Sequence, residues 1–374
     1  MRYLVFLFIL CIGLSCRSKD PDHSRHSLSY SVDTVKINSK GRQLDLRRGI
    51  WISDLDDPQD VIYLYNGFDH SIDEVNLDDL EVTNNLPFEV EGPNGTGDRV
   101  NYLNLVNDGT FFIKSSNKSS VFDRNSNLIQ KIDWENSVDS SGLKYGEIPR
   151  NELFIGTDNS KSIGLSYNNK NREVFLDILS LQDSSVKRLD IDPEKSYQNF
   201  VLVNEDPENY TFLDPYVYLS TESKFVIVSH QYSSEFSLFN SEGGFFKTVY
   251  YDPKMTPKRV KEISKPSPEE LWKEYQHFLE QVRYGPLVWD SANRRYLRLS
   301  AVRTFHDRMK EDSLLPEIKN VTVYLSVFDD EFRLISELAL PEFDTEFVKY
   351  FAKDGKLWVY ENFSDELGFI LIDV

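Results

Sequence analysis

The side chains best suited to acid–base chemistry or anion binding are histidines, arginines and tyrosines next to predicted β-strands. His70, His230 and His306 each lie where a predicted strand meets a loop. An imidazole exchanges protons near neutral pH, and a guanidinium holds carboxylate or phosphate oxygens. The full candidate set is His70, Arg172, His230, Tyr232, Arg303, His306, Arg308 and Glu361. Such a cluster would bind an anionic ligand or act on a sugar acid; the alternative is ordinary solvated loop residues.

Other chemistry has little support in the sequence. There is no HExxH stretch and no calcium-binding loop of the EF-hand type. Pairs of carboxylates are plentiful in a chain with 61 Asp and Glu residues, so they do not indicate a glycosidase. We therefore predict no particular catalytic residue, no metal ion and no cofactor.

The first sixteen residues have the pattern of an export signal. Arg2 is followed by an apolar run, residues 3–14, and Ser15 precedes Cys16. The run is too short to span a bilayer as a helix, so it is typical of a secretory signal. The ending Gly13-Leu14-Ser15-Cys16 resembles the lipobox of bacterial lipoproteins, although Gly13 stands where leucine is commonest. The resemblance implies a signal peptide at 1–15, lipid attachment at Cys16 and a place at the bacterial outer membrane, facing the periplasm or the surface. The alternative is ordinary signal-peptidase cleavage nearby.

Composition and charge narrow the range of partners. The polar segment 16–27 is predicted to be a flexible tether, followed by the folded part at 28–374. The net charge of −19 disfavours nucleic acid as a partner, because nucleic acid is a polyanion. The two cysteines are Cys11 and Cys16, so removal of the signal leaves no intramolecular disulfide.

Internal repetition is the strongest structural signal. Short strands rich in β-branched and aromatic residues recur in pairs, separated by Asn, Asp and Gly turns. The predicted pairs are 50–52 with 61–65, 103–106 with 110–113, 153–155 with 162–165, 217–219 with 225–228, 287–289 with 296–299 and 348–351 with 357–360. Several pairs are followed by a third strand, a tight turn and a fourth strand, which predicts six four-stranded antiparallel sheets.

The two ends of the chain predict how these sheets are arranged. The sixth unit ends after its third strand, at 369–374, and a further alternating strand at 30–37 precedes the first unit. Pairing these two strands would close a ring and remove an exposed sheet edge. The predicted fold is therefore an all-β, six-bladed β-propeller closed by an N-terminal strand. A pair of β-sandwiches is the alternative.

One motif between two of the predicted units resembles a known family. Glu91-Gly92-Pro93-Asn94-Gly95-Thr96-Gly97 is similar to a glycine-proline motif of six-bladed propeller lipoproteins of Bacteroidota. One uncharacterised family among them, a domain of unknown function, carries a similar Glu-Gly-Pro-Asn-Gly stretch. The resemblance implies a propeller and a lipoprotein, and it implies no activity.

Loop lengths indicate which face of the predicted disc binds. The longer connections are 87–102, 133–150, 190–215, 252–286 and 301–320, and all are expected on one face. Long loops on a rigid scaffold are the usual place for binding residues. A helical insertion is predicted near 267–283, with Leu271, Tyr275, Phe278, Leu279 and Val282 on one stripe. This helix is interpreted either as a lid over apolar surface or as a partner-binding element.

The leading functional hypothesis is a non-enzymatic binding propeller, attached to the membrane by its N-terminal lipid. Its partner would be a ligand or an envelope protein held by the long-loop face. The competing hypothesis is a carbohydrate-active lyase or hydrolase using His230, Arg303 and His306 at the channel mouth. A third possibility is a subunit of an envelope assembly.

Overall fold

The structure, a computed structural model, describes most of the chain after the predicted tether. The described residues are 29–106, 109–116, 118–155, 160–192, 194–204, 211–258, 260–261, 270–307, 315–347 and 349–374. The predicted signal peptide, Cys16, the tether and Arg308 lie outside the described residues, as do 267–269 at the predicted start of the helix.

Twenty-four strands form six four-stranded antiparallel sheets, the blades of a propeller. Two strands precede the first blade: β1 (Ser31–Lys36) and β2 (Arg47–Ile50). Blade 1 is β3 (Ser53–Leu55), β4 (Val61–Asn66), β5 (Ser71–Asn76) and β6 (Glu81–Pro87). Blade 2 is β7 (Val100–Leu105), β8 (Phe111–Ser115), β9 (Ser119–Phe122) and β10 (Leu128–Ile132). Blade 3 is β11 (Asn151–Ile155), β12 (Lys161–Asn168), β13 (Glu173–Ser180) and β14 (Val186–Asp190).

The second half of the chain repeats the arrangement with longer insertions. A 3-10 helix (Ser196–Phe200) and a hairpin, β15 (Leu202–Asn204) and β16 (Thr211–Leu213), precede blade 4. Blade 4 is β17 (Val217–Glu222), β18 (Phe225–His230), β19 (Phe236–Asn240) and β20 (Phe245–Val249). Helix α1 (Leu271–Leu279) precedes blade 5, which is β21 (Arg283–Asp290), β22 (Arg295–Phe305), β23 (Ile318–Asp329) and β24 (Leu334–Leu340). Blade 6 is β25 (Tyr350–Lys353), β26 (Lys356–Asn362), β27 (Leu367–Asp373) and β1.

The ring closes through the N-terminal strand, as predicted. β1 pairs antiparallel with β27 from Ser31 opposite Asp373 to Lys36 opposite Gly368. On the short-turn side of the same seam, the buried Lys353 ammonium lies 2.7 Å from the Asp60 carboxylate of blade 1. The sequence-based prediction of a six-bladed propeller is therefore confirmed.

Hydrophobic side chains fill the space between successive blades. Six clusters of buried residues lie one at each seam, including the seam between blades 6 and 1. At that closing seam Ile50 and Ile62 pack with Phe369, and all three are fully buried. Because each blade buries apolar side chains on both of its faces, strands such as β8 are apolar at consecutive positions.

Blade 1 differs from the prediction in the position of its inner strand. The predicted strand was 50–52, whereas β3 begins at Ser53. The cause is Asp56, whose carboxylate accepts backbone N–H bonds from Asp60 at 2.8 Å and Val61 at 2.9 Å and so fixes the turn. Trp51 therefore lies before the strand instead of inside it.

The connections divide between the two faces of the disc. The turns after the first and third strands are short, whereas those after the second and fourth strands include the long insertions; we name the latter side the long-loop face. Helix α1 lies within the predicted insertion, with Leu271, Phe278 and Leu279 buried. Within the described residues, no helix has the length and apolar character that a membrane crossing requires.

We predict that Gly368→Ala weakens ring closure. A Cβ at Gly368 would lie 2.6 Å from the Val35 carbonyl oxygen on β1 and 2.5 Å from the Phe363 ring. Such overpacking costs about 1–3 kcal/mol in the free energy of unfolding, which urea denaturation measures. Gly244→Ala is the control, because its nearest neighbours are atoms of the Asn240 side chain. Equal stability of Gly368→Ala and wild type would contradict this packing at the seam.

Candidate functional site

An aromatic contact crosses the axis of the ring at the long-loop face. Trp51 precedes the inner strand of blade 1 and Tyr216 precedes that of blade 4, which lies opposite in a six-fold ring. Their ring centroids are 5.8 Å apart, and Tyr218 extends the stack 4.8 Å from Tyr216. Trp51 is 44% exposed and Tyr216 39%. We name Trp51, Tyr216 and Tyr218 the aromatic bridge; its rings are tilted against one another, and those of Trp51 and Tyr216 are partly exposed to solvent.

Ionisable side chains line the channel below the aromatic bridge. Asp54, Glu222 and Lys349 lie on or next to inner strands of blades 1, 4 and 6 and are half-buried. Asp54 accepts the Leu105 N–H at 2.8 Å, and Glu222 accepts the Trp289 N–H at 2.8 Å. Burial raises the pKa of Asp54 above its usual range and raises the pKa of Glu222 to about 8. Burial likewise lowers the pKa of Lys349 to about 8, against the attraction of Asp54. The channel thus holds groups that exchange protons near neutral pH.

A group of two arginines and one glutamate lies beside the aromatic bridge. Arg283 begins β21, and one of its guanidinium nitrogens is 2.8 Å from the Glu346 carboxylate. Arg303 Nη2 donates to the same carboxylate at 2.8 Å. Two cations thus share one anion.

Arg298 holds the loop that carries His230. It is 1% exposed, and its guanidinium donates to four backbone carbonyls, those of His230, Ser233, Ser234 and Gly285, at 2.7–3.3 Å. Five donors in a rigid plane suit such a ring of acceptors. Arg298 therefore ties blade 4 to the start of blade 5, next to Arg283.

Three of the predicted site residues lie around blades 4 and 5. Tyr232 is 4% exposed, and its ring is 4.3 Å from that of Phe278 in α1. His230 packs between Phe200 and Tyr232, and its Nδ1 accepts the Tyr232 N–H at 2.9 Å. Arg303 is held by Glu346. The insertion helix thus covers apolar surface as a lid, and His230 and Tyr232 belong to the layer that it covers.

His70 links the glycine-proline loop to blade 1. It adopts a left-handed backbone conformation with φ 58°. Its Nδ1 lies 2.8 Å from the Tyr65 hydroxyl, and its Nε2 lies 2.6 Å from the Thr96 hydroxyl. Burial lowers the pKa of His70 below its usual value, so the neutral ring holds both hydroxyls. His70 therefore positions the loop that contains the Glu91–Gly97 motif.

The remaining predicted residues are separate from this group. Arg172 occupies the β12–β13 turn with φ 55°. His306 is exposed, and its backbone N–H donates to Glu317. Burial and the nearby Asp344 raise the pKa of Glu361. As ligand contacts, all seven described candidates stay predictions.

Two grooves open on the long-loop face. The larger, about 670 Å³, lies between blades 6 and 1 and is lined by Arg42, Arg47 and Phe68 among others. The smaller, about 340 Å³, is lined by Arg47, Arg48, Asp98 and Arg99 together with Tyr65. We name the smaller one the arginine groove. One wall comes from the segment just before Trp51, and the other from the loop that His70 positions.

Sequence reasoning missed the aromatic bridge, Arg283, Glu346 and Arg298. Arg298 carried a visible signal, since it stands alone in the apolar stretch Tyr296-Leu297-Arg298-Leu299. Trp51 and Tyr216 are 165 positions apart, and no local pattern connects them. Among the described residues, no group of three or more His, Cys, Asp or Glu side chains could hold a metal ion.

The fold and its closure define the class: a closed six-bladed β-propeller with its elaborated loops on one face. The chain belongs to the family described as a domain of unknown function (DUF4221), which matches residues 25–339. The predicted resemblance to an uncharacterised propeller family of Bacteroidota is thereby confirmed.

Comparison with solved structures gives the same fold. A DUF4221 member from Bacteroides vulgatus aligns over 92% of this chain and 96% of its own, with a TM-score of 0.63 at 12% identity. Two further matches are more distant. Kuenenia stuttgartiensis hydrazine synthase has a TM-score of 0.41 at 12% identity, and the alignment covers 87% of this chain and 77% of that one. The Neurospora crassa Pan2 WD40 domain has a TM-score of 0.42 at 8% identity, and the alignment covers 91% of this chain and 95% of that one. No curated protein matches the sequence.

We predict that the contribution of His70 to stability depends on pH. Because the folded pKa is lowered, the contribution is complete above pH about 6.5 and is lost as the pH falls below that value. His70→Asn, which tolerates positive φ, should cost about 1–2 kcal/mol of unfolding free energy at pH 7.5 and less at pH 5. Urea denaturation at both pH values measures the difference. An equal difference in unfolding free energy at pH 7.5 and pH 5 would contradict a neutral His70 ring that binds both hydroxyls. The control is His306→Asn, because His306 is exposed.

Proposed function

We propose that this protein is a lipid-anchored binding protein of the bacterial envelope that holds a ligand over its channel mouth. The contact between Trp51 and Tyr216 carries the proposal. Exposed aromatic rings brought together on a rigid scaffold are characteristic anchors of binding sites, because they offer large contact area at little entropic cost. The bridge rests on strands from opposite blades, so the closed ring fixes its geometry.

The surroundings of the aromatic bridge support a ligand with a flat ring. Both grooves open on the same face as the bridge, and the long insertions surround it. Asn151 of blade 3 donates to the Tyr216 hydroxyl at 3.3 Å, which orients that ring. A saccharide ring, with one flat C–H face and polar edges, has a shape and polarity that suit such a platform. An envelope protein is the alternative partner.

The envelope location rests on the sequence. The signal-like residues 1–15 and Cys16 precede the tether, and the acidic charge suits an exported, soluble domain. The tether leads to β1 on the outer edge of blade 6. Attachment there leaves the channel mouth unobstructed by the blade strands.

A carbohydrate-active enzyme is the second candidate, and the channel favours it. Burial raises the pKa of Glu222 to about 8 and lowers the pKa of Lys349 to about 8, so each group is suited to proton exchange near neutral pH. Under this enzyme hypothesis, catalysis would take place at Glu222 and Lys349, below the aromatic bridge. Shortening of a polysaccharide by wild type, lost in Glu222→Gln, would favour catalysis over binding alone.

We predict that replacing Trp51 and Tyr216 of the aromatic bridge weakens saccharide binding. In affinity gel electrophoresis, gels that contain dextran or polygalacturonate should retard the wild-type protein. The double variant Trp51→Ala, Tyr216→Ala should bind about 10-fold or more weakly. Phe246→Ala is the matched control, since Phe246 is 57% exposed on the outer strand of blade 4. Retardation of the double variant equal to wild type would refute the bridge as the site.

Anchoring is tested independently through the two cysteines. Wild type grown with an alkyne fatty acid should carry the label, and Cys16→Ser should lose it because the acceptor thiol is gone. Cys11→Ser is the matched control, since Cys11 lies within the signal and should leave the label intact. A labelled Cys16→Ser protein would overturn the proposed anchor.

A further inference from the structure

The arginine groove contains two cations that the fold itself does not use. Neither Arg48 nor Arg99 makes an ion pair or a side-chain hydrogen bond within the part of the chain that the structure describes. Of the other described arginines, Arg298 binds a set of carbonyls, Arg172 has an interaction of its own, and the rest each pair with a carboxylate. Both arginines without partners line the same groove.

Carboxylates within reach do not neutralise these cations. Asp45 lines the groove, but it binds Arg47, with a nitrogen–oxygen distance of 2.6 Å. Asp98 also lines the groove and is exposed. Three guanidinium groups therefore face two carboxylates, which leaves a local positive charge on a chain whose net charge is −19. A positive groove attracts anions, whereas the acidic remainder of the protein repels them. The groove therefore favours an anionic ligand that also makes contacts other than charge pairing.

The groove is joined to the aromatic bridge by the backbone. Gly49 and Ile52 line the groove, and Trp51 lies between them in the chain. The opposite wall contains Tyr65 and Arg99. His70 holds the Tyr65 hydroxyl and that of Thr96, which lies three residues before Arg99. A ligand long enough to extend beyond the Trp51 ring would therefore reach the segment that carries Arg48.

We propose that the arginine groove binds the carboxylate or sulfate groups of an acidic polysaccharide whose sugar rings stack on the aromatic bridge. This inference rests on the proposed function and names its ligand class. Arginine is suited to the role because its planar fork accepts a carboxylate or a sulfate through two parallel hydrogen bonds. His70 then acts as a positioning residue for the ligand site, since it touches the loop and not the ligand.

The test compares polymers that differ in charge. Full-length protein in detergent is titrated with polygalacturonate, which bears carboxylates, with dextran sulfate, and with neutral dextran. We expect the anionic polymers to bind about 10-fold or more tightly than dextran, with affinity that falls as salt rises. The relative affinity of the two anionic polymers identifies which group is preferred.

Variants separate this inference from the proposed function. Arg48→Gln with Arg99→Gln should lose about 10-fold in affinity for the anionic polymers, flatten their salt dependence and leave dextran binding unchanged. Arg294→Gln is the matched control, because Arg294 is exposed on the short-turn face. If Trp51→Ala loses dextran binding while the arginine double variant binds the anionic polymers as wild type does, the aromatic bridge is upheld as the saccharide site. The same result would overturn the arginine groove as the anion site. Equal affinity for all three polymers, or equal competition by polyglutamate, would also overturn it.

Discussion

Pairing of β1 with β27 is the interaction on which the rest of the structure depends. Without it, blade 6 would have three strands where each of the other five blades has four. With it, the closing seam brings Lys349 against Ser53, whose hydroxyl lies 2.9 Å from the ammonium, and next to Asp54. Closure also sets blade 1 opposite blade 4, so the aromatic bridge exists only in the closed ring. The candidate site is thus a product of the fold's circular symmetry and belongs to no single blade.

Buried polar groups fix the loops on which the site depends. Arg298 is a fully buried cation without a carboxylate, and backbone carbonyls satisfy it instead. Glu152 has a similar role between blades 2 and 3, where it accepts bonds from Ser119 at 3.0 Å and from the Trp134 indole at 2.9 Å. Such groups are costly to leave unpaired, so they select one loop arrangement over others. They give the long-loop face the rigidity that a preorganised binding site requires.

Much of the fold was predictable from sequence, because strand alternation and turn residues are local signals. The closure of the ring was predictable too. The sixth unit lacks a fourth strand, and an extra strand precedes the first unit, so pairing the two completes the sixth blade. The candidate site was less predictable. His230 ends its strand, as expected, but Phe200 and Phe278 come from segments that are distant in the chain and cover His230 and Tyr232. Trp51 was assigned to a strand because its neighbours are apolar, and the side-chain bonds of Asp56 decide otherwise.

Hydrogen exchange of the N-terminal strand tests the central claim most directly. If the ring is one cooperative unit, the β1 amides that bond to β27 should exchange as slowly as those of the interior strand β26, and both sets should lose protection together in mild denaturant. Fast, independent exchange of these β1 amides, with blades 1–5 still protected, would contradict a ring held closed by β1.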